Sequence, residues 1–277
     1  MRYVALACLA MTMMAGNSLL TRAGVLAGTD PLAFAAIRVA AGAAMLALLV
    51  RGRVPLKGRL GPAVALAVYL VGFSLAYRTL DAGLGALILF ATVQLALLGA
   101  GLAKGETMSV RRGAGMALAL VGMVWLLWPG DRVDFALLDG ALMIAAGLGW
   151  AAYSYAGKYA TDPLGANAGS FLLAAAGFAL ALPLWWDAPI TVRGAVLASI
   201  SGAITSGIGY AILYRVLPRL GLAAAGVAQL SVPVIAMILG ALILAELPSA
   251  RALAAGCLTL VGIALATLQG TIRSKGS

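Results

Sequence analysis

This sequence predicts an all-α integral membrane protein of ten transmembrane helices, folded as two inverted five-helix repeats. Three observations carry that prediction: a composition suited to lipid, ten apolar runs of spanning length, and sequence matches between the two halves. Of 277 residues, 63% are hydrophobic and only 10% charged, and the mean hydropathy is +1.05. A soluble domain carries roughly a quarter charged residues, so the outer solvent here is lipid. The 35 glycines fit the same solvent, because small residues let helix backbones approach closely in a bilayer. Gly147/Ala151 and Gly202/Ser206 have the four-residue spacing such contacts use.

A hydrocarbon core of about 30 Å takes roughly 20 helical residues. Ten runs meet that length: 3–21, 31–50, 60–79, 82–102, 110–128, 138–157, 167–186, 192–214, 221–244 and 249–270. Breakers and charge separate them: Thr29-Asp30-Pro31, Arg51 to Arg59, Pro129-Gly130-Asp131, Pro189, Pro218 and Pro248. The first run follows a lone Arg2 but shows no convincing cleavage site and has a later counterpart. It reads as a retained helix, not a signal peptide.

Lysine and arginine counting sets the orientation. The two termini and the even-numbered gaps share one side, which carries thirteen basic residues, among them Arg51, Arg53, Lys57, Arg59, Lys104, Arg111 and Arg112. The other side has five: Arg22, Arg78, Arg132, Arg193 and Arg251. Both termini are therefore predicted cytoplasmic, in the inner membrane. Trp125, Trp128, Trp185 and Trp186 fall near the outer ends of their runs and read as an interfacial belt.

The halves resemble each other. Thr29-Asp30-Pro31 recurs as Thr161-Asp162-Pro163, and Ala76-Tyr77-Arg78-Thr79-Leu80 as Leu213-Tyr214-Arg215-Val216-Leu217. Glu106-x2-Ser109-x-Arg111 recurs as Glu246-x2-Ser249-x-Arg251. The predicted repeats are 1–130 and 131–277, together one transmembrane unit. Five is odd, so the second copy enters the membrane from the opposite side, a recurring design of secondary transporters.

Other classes find little support. The net charge of +10 lies in short gaps between apolar runs, a pattern of membrane topology, not nucleic-acid binding. There is no histidine, which removes histidine metal sites, triads and proton relays. Cys8 and Cys257 lack CxxC spacing and read as small buried hydrophobes. No converging acids or activated nucleophile suggest an enzyme, no filter segment or charge ring suggests a channel, and no cofactor is implied.

Polar residues near mid-depth need a partner or a cavity. Gln94 and Gln229 lie near the centres of their runs, about one turn apart on equivalent helices. Pro233 has no N–H, which releases the carbonyl of Gln229 four residues back and makes a candidate kink. Other candidates for substrate contact are Asn17, Ser18, Ser74, Tyr77, Trp150, Tyr153, Thr205, Ser206 and Tyr210. Arg38 is the basic residue inside a run; it is expected to bond backbone carbonyls or an outer acid, or to meet a substrate carboxylate. Glu106 and Glu246 are expected to face the N-termini of the fifth and tenth helices, with Ser109 and Ser249 as caps. No Asp, Glu or His sits near mid-depth, so facilitated diffusion or exchange is expected in place of proton coupling.

Several motifs sit together in this ten-span frame. They are Gly149-Trp150-Ala151-x-Tyr153, Asp30-Pro31-x2-Phe34-x3-Arg38, Ser231-Val232-Pro233 ahead of Ala245-Glu246, and the two Glu-x2-Ser-x-Arg junctions. On these, the chain resembles the drug/metabolite transporter superfamily, in its ten-helix EamA-type members, over nearly its whole length. Within it the chain is similar to bacterial amino-acid exporters, including those for aromatic amino acids. Met14-Ala15-Gly16-Asn17-Ser18 departs from the family's Trp-Gly pair, and Gln94 replaces an expected proline. The resemblance implies a secondary transporter that exports small metabolites, amino acids first, by alternating access, as a monomer or homodimer in the lipid bilayer. The alternatives are an exporter of multidrug or cationic compounds or of nucleosides and, more distantly, a membrane-embedded enzyme.

Overall fold

The computed structural model describes residues 2–105, 109–128, 136–158, 160–220 and 222–267. Among these residues all regular secondary structure is helical. The elements are α1 (Arg2–Leu26), α2 (Pro31–Leu49), α3 (Leu60–Ala76), α4 (Ala82–Ala103), α5 (Val110–Leu127), α6 (Leu137–Lys158) and α7 (Pro163–Leu180). A short turn, Leu182–Leu184, follows, then α8 (Val192–Ile200), a π-wound segment (Ser201–Ile208) and α9 (Gly209–Leu220), which form one continuous rod. α10 (Leu222–Leu244) and α11 (Ala250–Thr267) complete the bundle. Glu106, the breaker Pro129-Gly130-Asp131, Arg132, Asp134, Arg273 and Lys275 lie outside the described residues.

Six helical stretches are long and apolar enough to cross a membrane, and α3 and much of α10 and α11 are shorter apolar helices. Large hydrophobic side chains such as Val110, Leu180, Leu242 and Trp186 are exposed on the flanks, where only lipid would cover them. Cys8 and Cys257 are exposed too, which corrects their expected burial. They face outward because the lipid-facing flank accepts a small apolar thiol as readily as the core does.

Local chemistry fixes the helix starts. Asp30 Oδ1 accepts from the N–H groups of Leu32 at 2.8 Å and Ala33 at 3.1 Å, with Pro31 in the first turn. Asp162 does the same for α7, accepting from Gly165 at 3.0 Å, with Pro163 next. That cap starts α7 at residue 163, earlier than the apolar run suggests, and leaves Trp185 and Trp186 beyond the helix. Ser109 and Ser249 cap α5 and α11, accepting from Arg112 N and Ala252 N. Glu246 departs from expectation. It reaches the N–H of Ala82 at 2.8 Å, at the start of α4, and not the helix that follows it.

Packing follows a regular scheme. α5 lies along α11, α2 on α7, and α4 on α10; α3 and α4 flank α6, while the α8–α9 rod and α10 flank α1. The α8–α9 rod packs on α2, and α7 on α3. Exchanging each rod with the one five places along maps this set of pairs onto itself. The small-residue positions make it possible: a methyl at Gly147 would lie 2.6 Å from Thr92 Cβ on α4, and one at Gly202 would collide with the Arg38 carbonyl on α2.

Candidate functional site

The largest fully buried side chain is Arg38 on α2. Its Nη2 donates to the Tyr69 hydroxyl at 2.8 Å, and both Nε and Nη2 donate to Ser206 Oγ, at 3.3 and 3.2 Å. Nη1 finds no hydrogen-bond partner among the described residues. The guanidinium lies 5.3 Å from the ring centre of Tyr69 and 5.0 Å from that of Phe73, close enough for cation–π attraction. Its partners are thus hydroxyls and rings, not the backbone carbonyls or outer acid expected from sequence.

Ser206 links this cation to α1. Its hydroxyl donates to Asn17 Oδ1 at 3.2 Å, and Ser201 and Thr205 donate to the same oxygen at 2.9 and 2.6 Å. Residues 201, 205 and 206 converge on one oxygen because the segment is π-wound. Its i→i+5 bonding carries the fifth residue round to the face of the first, and such segments are frequent at functional sites.

Beside this network an aromatic cluster surrounds a narrow cavity of about 10 Å³, room for about one water, lined by Asn17, Ser18, Tyr69, Phe73, Trp150 and Tyr210, with Met14, Leu89 and Phe90. Trp150 packs against Tyr69 at 4.9 Å, Tyr210 at 5.0 Å and Tyr153 at 5.5 Å between ring centres. Both halves of the chain contribute walls. The cavity is walled with rings and hydroxyls and adjoins one buried charge.

Of the residues singled out in the sequence, Asn17, Ser18, Trp150 and Tyr210 line this cavity. Thr205, Ser206 and Arg38 join it through the hydrogen bonds above. Tyr153 donates to Asn167 Oδ1 and lines a second void with Arg59 and Ser170, toward the opposite end of α6 from Asp139. Ser74 is buried with its hydroxyl unpartnered among the described residues. Tyr77 is buried above Phe73, edge-on at 4.8 Å, and donates to the Ala82 carbonyl at 3.3 Å. Gln94, buried, follows the cavity residue Phe90 by one turn of α4, and Gln229 is half-buried on α10; neither lines the cavity. Pro233 is buried within α10, which stays helical through it.

Sequence reasoning missed Tyr69 and Phe73. The signal was present: Tyr69, Phe73 and Tyr77 recur every four residues, a stripe along one face of α3.

One end of the bundle is closed by charge. Arg22 on α1 pairs with Glu246 at 2.7 Å and Asp81 at 3.5 Å and donates to the carbonyls of Tyr77 and Arg78, both at 3.0 Å. Arg78 pairs with Asp139 at 3.0 Å, and Thr79 donates to the same carboxylate at 2.8 Å. Glu246 and Asp81 also line a wider cleft between α4, α5, α10 and α11 at this end.

Apolar helices of spanning length with hydrophobic flanks define a multi-pass membrane protein. The chain belongs to the EamA-like transporter family, whose pattern matches residues 140–268. It is 44% identical over 272 residues to an uncharacterized protein of Pseudomonas aeruginosa, covering 95% of this chain and 94% of that one. A crystal structure at 21% identity superposes with a TM-score of 0.65, over 96% of this chain and 97% of the other, and so shares the fold.

Proposed function

We propose that the protein is a secondary transporter that exports small carboxylate-bearing metabolites, amino acids among them, by alternating access. The observation that carries this reading is the central cavity walled by both halves, with Asn17, Tyr69 and Phe73 from the first and Trp150 and Tyr210 from the second. The rod packing that survives exchange of each helix with the one five later supports two five-helix repeats, 1–130 and 131–277, threaded in opposite senses. Lysine and arginine bias supports cytoplasmic termini and an inner-membrane location, which puts the Arg22–Glu246 closure on the outer face.

In this reading, opening at one end widens and exposes the cavity while the other end stays sealed. The substrate's apolar body stacks on Trp150 and Tyr210, and its polar end meets the Asn17–Ser206–Arg38 network. Gln94 and Gln229 flank the inner approach. A buried, uncompensated guanidinium disfavours cationic drugs as cargo. The test is counterflow in proteoliposomes. Saturable exchange of labelled amino acid, lost in Trp150→Ala protein that still inserts and elutes as a single species, supports the carrier. Unsaturable leak through the wild type would point to a channel instead.

A further inference from the structure

The cavity's surroundings contain one formal charge, and no described residue neutralises it. Arg38 is fully buried, two of its three nitrogens are spent on hydroxyls, and Nη1 is without a partner among the described residues. A bare buried cation is unfavourable in a low-dielectric interior. The usual remedy, a nearby carboxylate, is missing among the described residues for a positional reason: Asp30, Asp81, Asp139, Asp162, Asp187 and Glu246 all fall in the gaps or at helix ends. Buried Asp139 and largely buried Glu246 are committed to Arg78 and Arg22 at the closed end.

The cavity offers a second cation no described carboxylate, and its Tyr69 and Phe73 rings already meet the guanidinium. Its evident acceptor, Asn17 Oδ1, already takes three hydroxyls. Tyr69 and Phe73 both line the cavity and both touch the guanidinium, so the charge stands one ring behind the wall. An anion in the cavity is attracted across that ring and a cation repelled. A zwitterion gains at its carboxylate and loses at its ammonium group.

Resting on the carrier reading above, we propose that the cavity selects organic monoanions, namely carboxylates with an apolar ring, and that an α-ammonium group is not needed for recognition. The substrate supplies the counter-charge that the fold withholds. The aromatic walls accept the ring by stacking, and the guanidinium behind Tyr69 and Phe73 attracts the carboxylate through its field.

Three indoles that share a ring and differ in charge test this directly: indole-3-acetate (anion), tryptophan (zwitterion) and tryptamine (cation). Each is measured on the full-length protein, by counterflow in proteoliposomes and by thermal stabilisation in detergent. Indole-3-acetate is expected to half-saturate at a concentration at least about tenfold below tryptophan, with tryptamine weakest. Arg38→Lys should keep the order and Arg38→Gln erase it. If Arg38→Gln does not fold, the wild-type order decides. Tryptophan equal to or better than indole-3-acetate overturns the proposal, as does an unchanged order in folded Arg38→Gln, or no response to any of the three. Stabilisation by the anion without saturable exchange would sink the carrier reading while upholding the selectivity. Saturable exchange that favours tryptophan would do the reverse.

Discussion

Glu246 holds Arg22 at 2.7 Å with one carboxylate oxygen and the backbone N–H of Ala82 at 2.8 Å with the other. One side chain thus ties three elements together: α1, the start of α4 and the α10–α11 link. Arg22 lies one helical turn beyond Ser18, which lines the cavity. The pair therefore sits directly over the chamber, and both side chains are largely buried.

Glu246→Ala leaves Arg22 with Asp81 at 3.5 Å and two carbonyls, and strips the Ala82 N–H. Hydrogen bonds to charged groups are worth about 2 kcal/mol, so a lower thermal midpoint is expected. The functional readout is thiol labelling at Ser18→Cys in a background without Cys8 and Cys257. Labelling by an impermeant reagent from the outer face should speed up severalfold. An unchanged labelling rate in folded Glu246→Ala would show that the pair braces the fold without closing the chamber.

The α5–α11 contact makes a separate prediction, about stability alone. A methyl at Gly115 would stand 2.6 Å from Ala266 N and 2.7 Å from the Gly262 carbonyl, whereas nothing lies within 4 Å of one at Gly99. Backbone atoms cannot swing aside, so Gly115→Ala should separate the two helices and cost about 1–3 kcal/mol. Gly99→Ala should leave stability unchanged or slightly raised. Thermal unfolding of the two variants in one detergent compares them. Equal midpoints would mean that the close approach carries no weight.

How much of this was legible in the sequence depends on the range of the interaction. The helices themselves were readable, because spanning length, Asp-Pro starts and Ser caps are local. Asp162-Pro163 even marks the start of α7 more sharply than the apolar run does. Glu246 was misread because its partner is a helix start 164 residues away in sequence, and no local rule points there. The convergence of Ser201, Thr205 and Ser206 on Asn17 needs π winding, which i, i+3, i+4 periodicity does not reveal. Arg38 was visibly anomalous, but only packing shows that its neighbours are hydroxyls and rings.

Asn17 offers a way to rewrite the charge of the chamber without touching Arg38. Its Oδ1 is one hydroxyl away from the guanidinium, through Ser206. Asn17→Asp keeps the size and all three acceptor contacts while adding the missing counter-charge. The buried pair should fold at least as well as the wild type, so thermal stability is expected to hold. Selectivity should invert: the preference for indole-3-acetate over tryptophan, read by competition in counterflow, should fall by about tenfold or more. If the anion still wins in folded Asn17→Asp, the field of Arg38 is not what sorts the substrates.

An anionic cargo also supplies a driving force that no described carboxylate beside the chamber provides. A monoanion crossing alone carries one charge, and a charge moved through the membrane potential gains about 2.3 kcal/mol per 100 mV. With the cytoplasm negative, that force points outward, the direction of export. Proteoliposomes loaded with potassium and treated with valinomycin allow the potential to be set at will. Indole-3-acetate should leave vesicles faster when the lumen is negative and slower when it is positive, each by severalfold. A pH gradient of equal size, with the potential clamped at zero, should leave the rate unchanged for the ionised substrate. Flux that follows the pH gradient and ignores the potential would mean that a proton travels with the cargo, which the chamber's lack of a buried acid argues against.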